Sequence, residues 1–398
     1  MTEQLKLKLN DSKATRWGAL VIVAFTMMAA YYVNDVVAPL KTMLETDLAW
    51  SSTDFGFFTG GYSFLNVFFL MLIWGGLILD RFGIRFTGKL ATILMVGGTA
   101  LEYYAMTGLA GADATLFGIN EIFGYKTGVF VAFAGYSIFG VGAEVAGITV
   151  SKIIAKWFKG KELATAMGVQ VALARIGSQA GYAVAIPLAR AFGISTPVLL
   201  GLVLLLGGMI AFFVFAVMDK KLDKQMEAAA IAAGTEDEEE KFSFKDVKNI
   251  LVNPGFWLIA LLCVLFYSCV FPFQKFASEL MIIKYGINEN VAGTFAGLPA
   301  LGALILTPVF GGFIDKRGKS ASIMLLGSAM LICVHFIYAI PDINYWLVAI
   351  VLMIILGIAF SLVPSAMWPA VAKIFPVSQL GTAYALIFFI QNIGLWGI

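Results

Sequence analysis

Eleven runs of mostly apolar residues, each near 20 residues or longer, dominate this sequence, near 17–40, 55–79, 87–107, 127–155, 162–189, 195–218, 255–283, 291–314, 320–340, 345–372 and 378–398. A helix needs roughly 20 apolar residues to cross bilayer hydrocarbon, so each run is long enough to span one. Several exceed 25 residues, which allows tilt or extension past the bilayer. Residue usage agrees: the chain is 60% hydrophobic and 13% charged, with a mean hydropathy of +0.89. An average soluble domain is about 25% charged. A chain this apolar lacks the polar residues to cover a water-facing surface, and a bilayer needs none over its hydrocarbon zone. The expected class is an all-α membrane protein. The start, MTEQLKLKLNDSKATR, is polar, and the first apolar run is too long for the core of a cleaved signal peptide.

Lys and Arg orient the spans, because positive charge stays on the cytoplasmic side. With the N-terminus inside, cytoplasmic segments carry 21 of the 27 basic residues and outer segments four: Lys41, Lys126, Arg190 and Lys284. Arg175 and Lys275 remain within spans. The longest polar segment, 219–254, holds the acidic run Glu236 to Glu240 and then KFSFKDVKNI, which has the makings of a short surface helix. The expected organisation is a cytoplasmic tail over 1–16, a first bundle over 17–218, a linker over 219–254 and a second bundle over 255–398. Six spans precede the linker and five follow it. The last run stops at Leu395-Trp396-Gly397-Ile398 without flanking charge, so a twelfth span is expected to be missing.

A motif repeats at equivalent places in the two halves. After the second run comes Gly75-Gly76-Leu77-Ile78-Leu79-Asp80-Arg81-Phe82-Gly83, and after the eighth comes Gly311-Gly312-Phe313-Ile314-Asp315-Lys316-Arg317-Gly318. Both read G-x-x-x-D-[RK]-x-G. Small residues let helices approach closely, and an acid at a helix end is held by the dipole and basic partners. Asp80, Arg81 and Asp315 are therefore candidate gating residues, forming latches that break and reform as two halves rock. This motif resembles the signature of the major facilitator superfamily. The resemblance implies two pseudo-symmetric six-helix bundles, a central site and alternating access.

A charge at mid-bilayer is costly, so each one is a functional candidate. Glu144 lies 12 residues before Lys156, about 18 Å above the cytoplasmic edge at a rise of about 1.5 Å per residue. Arg175 lies 14 residues after Lys161, about 21 Å above the same edge. Two opposite charges on consecutive antiparallel helices thus fall at similar depth. One reading is a buried ion pair locking two helices. The other is a site taking a cation at Glu144 and a carboxylate at Arg175, whose planar fork donates two parallel hydrogen bonds. The two are compatible if the pair rests together when empty and opens for a zwitterion. The blocks Trp157-Phe158-Lys159-Gly160-Lys161-Glu162-Leu163 and Ala174-Arg175-Ile176-Gly177-Ser178 resemble the lysosomal dipeptide transporter subgroup of the superfamily. So do Trp368-Pro369-Ala370-Val371-Ala372, Gln379-Leu380-Gly381-Thr382-Ala383-Tyr384 and Gln391-Asn392. The resemblance implies that Glu144 receives a peptide amino group and Arg175 its carboxylate.

Asp35 and Lys275 lie about 28 and 30 Å from the inner edge. They read either as an extracellular gate pair or as separate snorkelling or solvated charges. Glu279 is expected to be exposed at the outer mouth. Gln391, Asn392 and Asn66 fall near mid-depth on spans that line the cavity in this fold, so hydrogen bonds to substrate amides are expected of them. Tyr31, Tyr32, Tyr62 and Tyr136 read equally as side walls and as interhelical packing. Trp368 follows Pro364 in a span that Pro364 and Pro369 are expected to interrupt, giving a bent wall with freed carbonyls. His335 reads as a packing residue on a peripheral helix.

Catalysis finds no support: there is no metal cluster, nucleotide-phosphate loop or nucleophile with a base, and one His in the chain. The three cysteines, Cys263, Cys269 and Cys333, lie in apolar runs without metal spacing. No cofactor, metal or nucleic acid is expected; the partners are a small solute and the bilayer, and nothing in the sequence points to an accessory subunit. The leading expectation is a carrier of dipeptides or similar zwitterions, by uniport. Alternatives are a proton-coupled organic-anion or amino-acid carrier, with Arg175 and Lys275 on the anion, and a non-transporting sensor or scaffold. The N-terminal tail lacks an acidic dileucine sorting signal, so a bacterial relative in the cytoplasmic (inner or plasma) membrane is expected over a lysosomal address.

Overall fold

The computed structural model describes residues 8–111, 114–159, 161–233, 244–375 and 377–398. The side chains of Asp80 and Asp315, and the acidic run 236–240, lie outside the described residues. The first set of helices starts with α1 (Lys13–Val36), capped by the Ser12 side chain, which accepts from the Thr15 amide. A 3-10 turn at Ala38–Leu40 leads to α2 (Lys41–Asp47). A reciprocal Ser51–Asp54 capping box opens α3 (Ser52–Phe68). There follow α4 (Met71–Thr107), a hairpin of β1 (Glu121–Ile122) and β2 (Tyr125–Lys126), α5 (Thr127–Trp157), α6 (Leu163–Phe192) and α7 (Thr196–Ala233). The second set holds α8 (Phe244–Leu251), α9 (Pro254–Ile283), α10 (Glu289–Ala296), α11 (Leu298–Arg317), α12 (Ser320–Ala339), α13 (Trp346–Ile374) and α14 (Val377–Gly397).

By length and hydropathy, seven helices among the described residues are fit to cross a membrane, or eight if the bent α3–α4 pair counts as one span. The expected eleven is not reached by this measure, and the residues show why. The end of the second run and the whole third run join in α4, whose middle carries Arg81, Arg85 and Lys89. Polar Gln170, Arg175, Ser178 and Gln179 interrupt α6. The apolar stretch of α14 is short, Thr382–Gly397.

The second run bends by 59° between α3 and α4, at Leu70, whose φ is 54°. A second break falls at Gly83, with φ 75° and ψ 174°. Gly318, the last residue of the second motif copy, has φ 66° and ψ −136°. The closing glycine of both copies therefore takes a conformation that residues with a Cβ rarely adopt. α13, by contrast, continues through Pro364 and Pro369 without the expected interruption. Its Ser361 and Ser365 hydroxyls donate back to the Gly357 and Ser361 carbonyls at 2.7 and 2.6 Å, and it is packed along α11 and α12.

Buried apolar side chains form two large clusters. One runs from Ala19 to Leu222, and the other from Ile250 to Ile387 with Ala38 and Tyr182 added. Within the first set, α1 packs on α6 and α7, and α5 packs on α3 and α4. Within the second, α9 packs on α14, and α13 on α11 and α12. The sets meet where α3 packs on α14, α6 on α10 and α11, and the 3-10 turn on α9. α7 reaches well into the expected linker. Residues such as Lys221, Leu222, Lys224, Gln225 and Glu227 favour helix, and Asp219 and Asp223 anchor it to Lys156 at 2.8 and 2.5 Å.

Candidate functional site

Small residues of α5 and α6 bring their neighbours close around the embedded charges. A Cβ at Gly140 would stand 2.2 Å from the Tyr62 carbonyl oxygen of α3, and one at Gly177 would stand 2.1 Å from the Met28 carbonyl oxygen of α1. The first contact sets Tyr62 beside Glu144, and the second sets α1, with Tyr31, beside Arg175. The Tyr62 hydroxyl donates to Glu144 Oε1 at 3.1 Å. From the second set, the Asn392 side chain of α14 lies near the Glu144 carboxylate, its Nδ2 donating to the Phe388 carbonyl at 3.0 Å. Arg175 has its guanidinium carbon 5.5 Å from the Tyr31 ring centroid and 4.9 Å from that of Phe360 on α13. Among the described residues no hydrogen bond or ion pair is made by Arg175, and none joins it to Glu144. Each charge is thus flanked by neutral groups from both helix sets and keeps capacity for a ligand of opposite sign.

Aromatic side chains wall the second-set side. The Phe360 ring meets Tyr267 and Phe271 edge-on. Trp368 donates from Nε1 to the Tyr267 hydroxyl at 3.3 Å and stacks on Phe388 with centroids 4.9 Å apart. Tyr384 donates to the Trp368 carbonyl at 3.0 Å. Asn66 and Asn392 are fully buried, and the carbonyl oxygen of each side chain lacks a protein partner. Gln391 points toward α9, with Cys263 Sγ 3.5 Å from its Oε1.

Tyr136 sits one layer outward of Tyr62, their centroids 5.7 Å apart, and belongs to a second constellation. Lys275 Nζ lies 3.6 Å from Asp35 Oδ1 and donates to the Tyr136 hydroxyl oxygen at 3.1 Å and to the Asn34 carbonyl. Tyr136 donates to the same carbonyl at 2.8 Å, and Asn34 Nδ2 donates to Asp35 at 2.8 Å. Lys41 is 1% exposed and pairs with both Glu45 and Glu279, so Glu279 is half-buried and paired, not exposed as expected, because the buried ammonium draws it in. Arg190 pairs with Glu289 and donates to Asn290 at 2.8 Å. These three, Asp35–Lys275, Lys41–Glu279 and Arg190–Glu289, are the described ion pairs that cross between the sets, and all lie at the outer end.

Inner-end pairs stay within the first set. Arg16 grips Glu162 with a closest contact of 2.7 Å, and Lys161 holds Asp11 at 2.8 Å. Hydrogen bonding from Arg16 holds the Glu162 carboxyl below its ordinary value, and that from Lys161 does the same for Asp11. Arg85 and Lys156 converge on buried Asp219, which also accepts from Trp157 Nε1 at 3.0 Å. Arg81 is exposed, with its guanidinium carbon 5.6 Å from the Phe82 ring centroid.

Sequence reasoning singled out Glu144, Arg175, Tyr31 and Asn392, which the fold brings to one central region. It passed over Phe360 and Asp219. Phe360 stands two helical turns before Trp368, a spacing that puts both on one face of α13. Asp219 follows an apolar run directly, where a lone acid among basic residues is the signal.

A family model described as Major Facilitator Superfamily matches residues 20–396. The "Lysosomal dipeptide transporter MFSD1" of Homo sapiens is 29% identical over 396 residues, covering 96% of this chain and 78% of that protein. The protein of the same name from Gallus gallus is 33% identical over 274 residues, 66% of this chain and 59% of that one. Among solved structures, a D-xylose–proton symporter superposes with a TM-score of 0.67 at 17% identity, covering 96% of this chain and 88% of that chain. The inward open xylose transporter XylE from E. coli superposes at 0.68 with 16% identity and the same coverage.

Proposed function

Because the chain belongs to the Major Facilitator Superfamily, we propose that this multi-pass membrane transporter carries dipeptides and similar small zwitterions by alternating access, as a uniporter. The observation that carries the reading is that Glu144 and Arg175 are held by neutral groups instead of by each other. A zwitterion needs one acceptor for its ammonium and one fork for its carboxylate, and these two side chains supply them. Tyr62 orients the acid with Asn392 nearby, Tyr31 and Phe360 orient the fork, and the aromatic wall takes the side chains. The proteins of similar sequence are named for dipeptide transport, which supports the substrate class. Glu144 acts as the amine's partner, so no proton need travel with the substrate. An anion carrier using Lys275 is less well supported, because Lys275 is engaged by Asp35, Asn34 and Tyr136. Asp80, Arg81 and Asp315 are assigned to inner latches. The basic-residue asymmetry supports a cytoplasmic N-terminus.

Sealed vesicles test the reading. Dipeptide should enter until its concentration is equal on both sides, and an imposed inward proton gradient should drive no further accumulation. No entry would overturn the carrier; accumulation that collapses with a protonophore would overturn uniport.

A further inference from the structure

Glu102, on the outer half of α4, is 0% exposed, and both its carboxyl oxygens lack a hydrogen-bond partner in the protein. The Thr99 hydroxyl, one turn below on the same helix, is equally buried and also unpartnered. A buried carboxylate without hydrogen bonds is among the most costly arrangements in a protein interior, and the neutral acid is far cheaper to bury. The charged and titratable groups around it are few. Tyr136 reaches toward it from α5 and Lys275 from α9, with Asp35 of α1 beyond the ammonium. Tyr103 and Tyr104 adjoin it on α4 itself. On α3, Tyr62 lies behind Tyr136, and Asp54 is taken up in the helix cap. The outer halves of α7 and α14 carry no titratable side chain. Lys275 is already matched by Asp35 at 3.6 Å and fills its donors with the Asn34 carbonyl and Tyr136. It does not hydrogen-bond Glu102.

We propose that Glu102 is a proton-binding site that couples the outer gate to the pH of the outer solution. Closing the gate brings Lys275 against Asp35 and Tyr136 and seals Glu102 as the neutral acid. Opening withdraws Lys275 with the second helix set and lets water reach the pocket, so the acid releases its proton outward. Closure therefore takes up one proton on a Glu102 oxygen, and opening returns it. The proton goes back to the side it came from, because α4 and α5 touch backbone to backbone just inward of Glu102. A Cβ at Gly98 would stand 2.5 Å from the Gly135 carbonyl oxygen. Glu102 thus sets how long the gate stays open without adding a proton to the transport stoichiometry. The proposal rests on alternating access and needs no substrate for its test.

One linked proton changes the closed-to-open ratio by at most about tenfold per pH unit. The test is a pair of spin labels at Asp47→Cys and Asn288→Cys, both exposed at the outer end, with Cys269 and Cys333 replaced by serine. Distances are read by pulsed electron resonance in liposomes from pH 8 to pH 5. The wild-type background should gain short-distance population as pH falls. Glu102→Gln should show the short distance at every pH, and Glu102→Asp, which keeps an acid in the pocket, should retain a slope. No slope in the wild-type background, or a slope that survives Glu102→Gln, would overturn the proposal. So would a slope of the opposite sign, opening as pH falls, which would assign the titration to Asp35 of the gate pair, or a slope lost in Glu102→Asp, which stays readable if Glu102→Gln fails to fold.

Discussion

The guanidinium of Arg175 is held by the ring faces of Tyr31 and Phe360, an arrangement that fixes its position while leaving its N–H groups free. A cation–π contact of this kind contributes roughly 0.5–2 kcal/mol. Phe360→Leu should therefore raise KM for dipeptide by roughly 2- to 30-fold, with a smaller change in Vmax, measured as initial uptake into vesicles. Arg175→Lys keeps the charge but loses the fork and should be severely impaired, and Arg175→Ala should abolish uptake. A different residue-scale effect is expected at Glu162, outside the spans. Its folded carboxyl is held below the ordinary value of 4.5 by Arg16, so the contact adds stability above that value and loses it as pH falls through the depressed range. Melting of Glu162→Gln should lie below wild type at neutral pH, and the two should converge in acid. Glu144 and Arg175 were legible in the sequence because a charge inside an apolar run stands out. Phe360 was not singled out, because among 34 Phe the residue type alone marks nothing, and Tyr62 was named only as a wall or packing residue, without its bond to Glu144.

Two copies of one motif close on glycines with positive φ, at Gly83 and Gly318. At such angles a Cβ costs about 1–3 kcal/mol. Gly83→Ala and Gly318→Ala should each lower the melting temperature in detergent. Gly76→Ala should change it little, since a Cβ there meets nothing within 4 Å. Equal shifts for all three would mean that backbone conformation is not what these glycines provide. The repeat itself could be read from spacing, because a fixed pattern of Gly, acid and base at equivalent places is a strong signal. The bend at Leu70 could not, since nothing about a leucine between apolar residues foretells φ 54°. The reach of α7 to Ala233 was obscured for a related reason: its charges read as linker, whereas Asp219 and Asp223 are bound to Arg85 and Lys156 across helices distant in sequence.

At the scale of the whole molecule, the described ion pairs that join the two helix sets gather at the outer end, so this structure is held shut there. Removing one partner of a buried pair costs about 3–5 kcal/mol because the other is left uncompensated. Lys275→Ala should thus shift the balance toward the outward-open form by about two to four powers of ten, read as faster alkylation of cysteines placed below the gate. Alkylation unchanged from wild type would remove the pair from the gate. The placement of basic residues carries the proposed orientation, but which of them pair could not be read from it: Lys41 counted as an outer-loop charge, yet it is buried between Glu45 and Glu279. The central claim is that Glu144 and Arg175 together read the two ends of a zwitterion. Its most direct test is calorimetric binding of one dipeptide, its C-terminal amide and its N-acetyl form to wild type, Arg175→Ala and Glu144→Gln. A charge-assisted hydrogen bond contributes about 1.5–3 kcal/mol, so amidation and acetylation should each weaken binding to wild type by roughly 10- to 150-fold. Amidation should cost nothing further in Arg175→Ala, nor acetylation in Glu144→Gln; equal binding of all three ligands to the wild type would contradict the account.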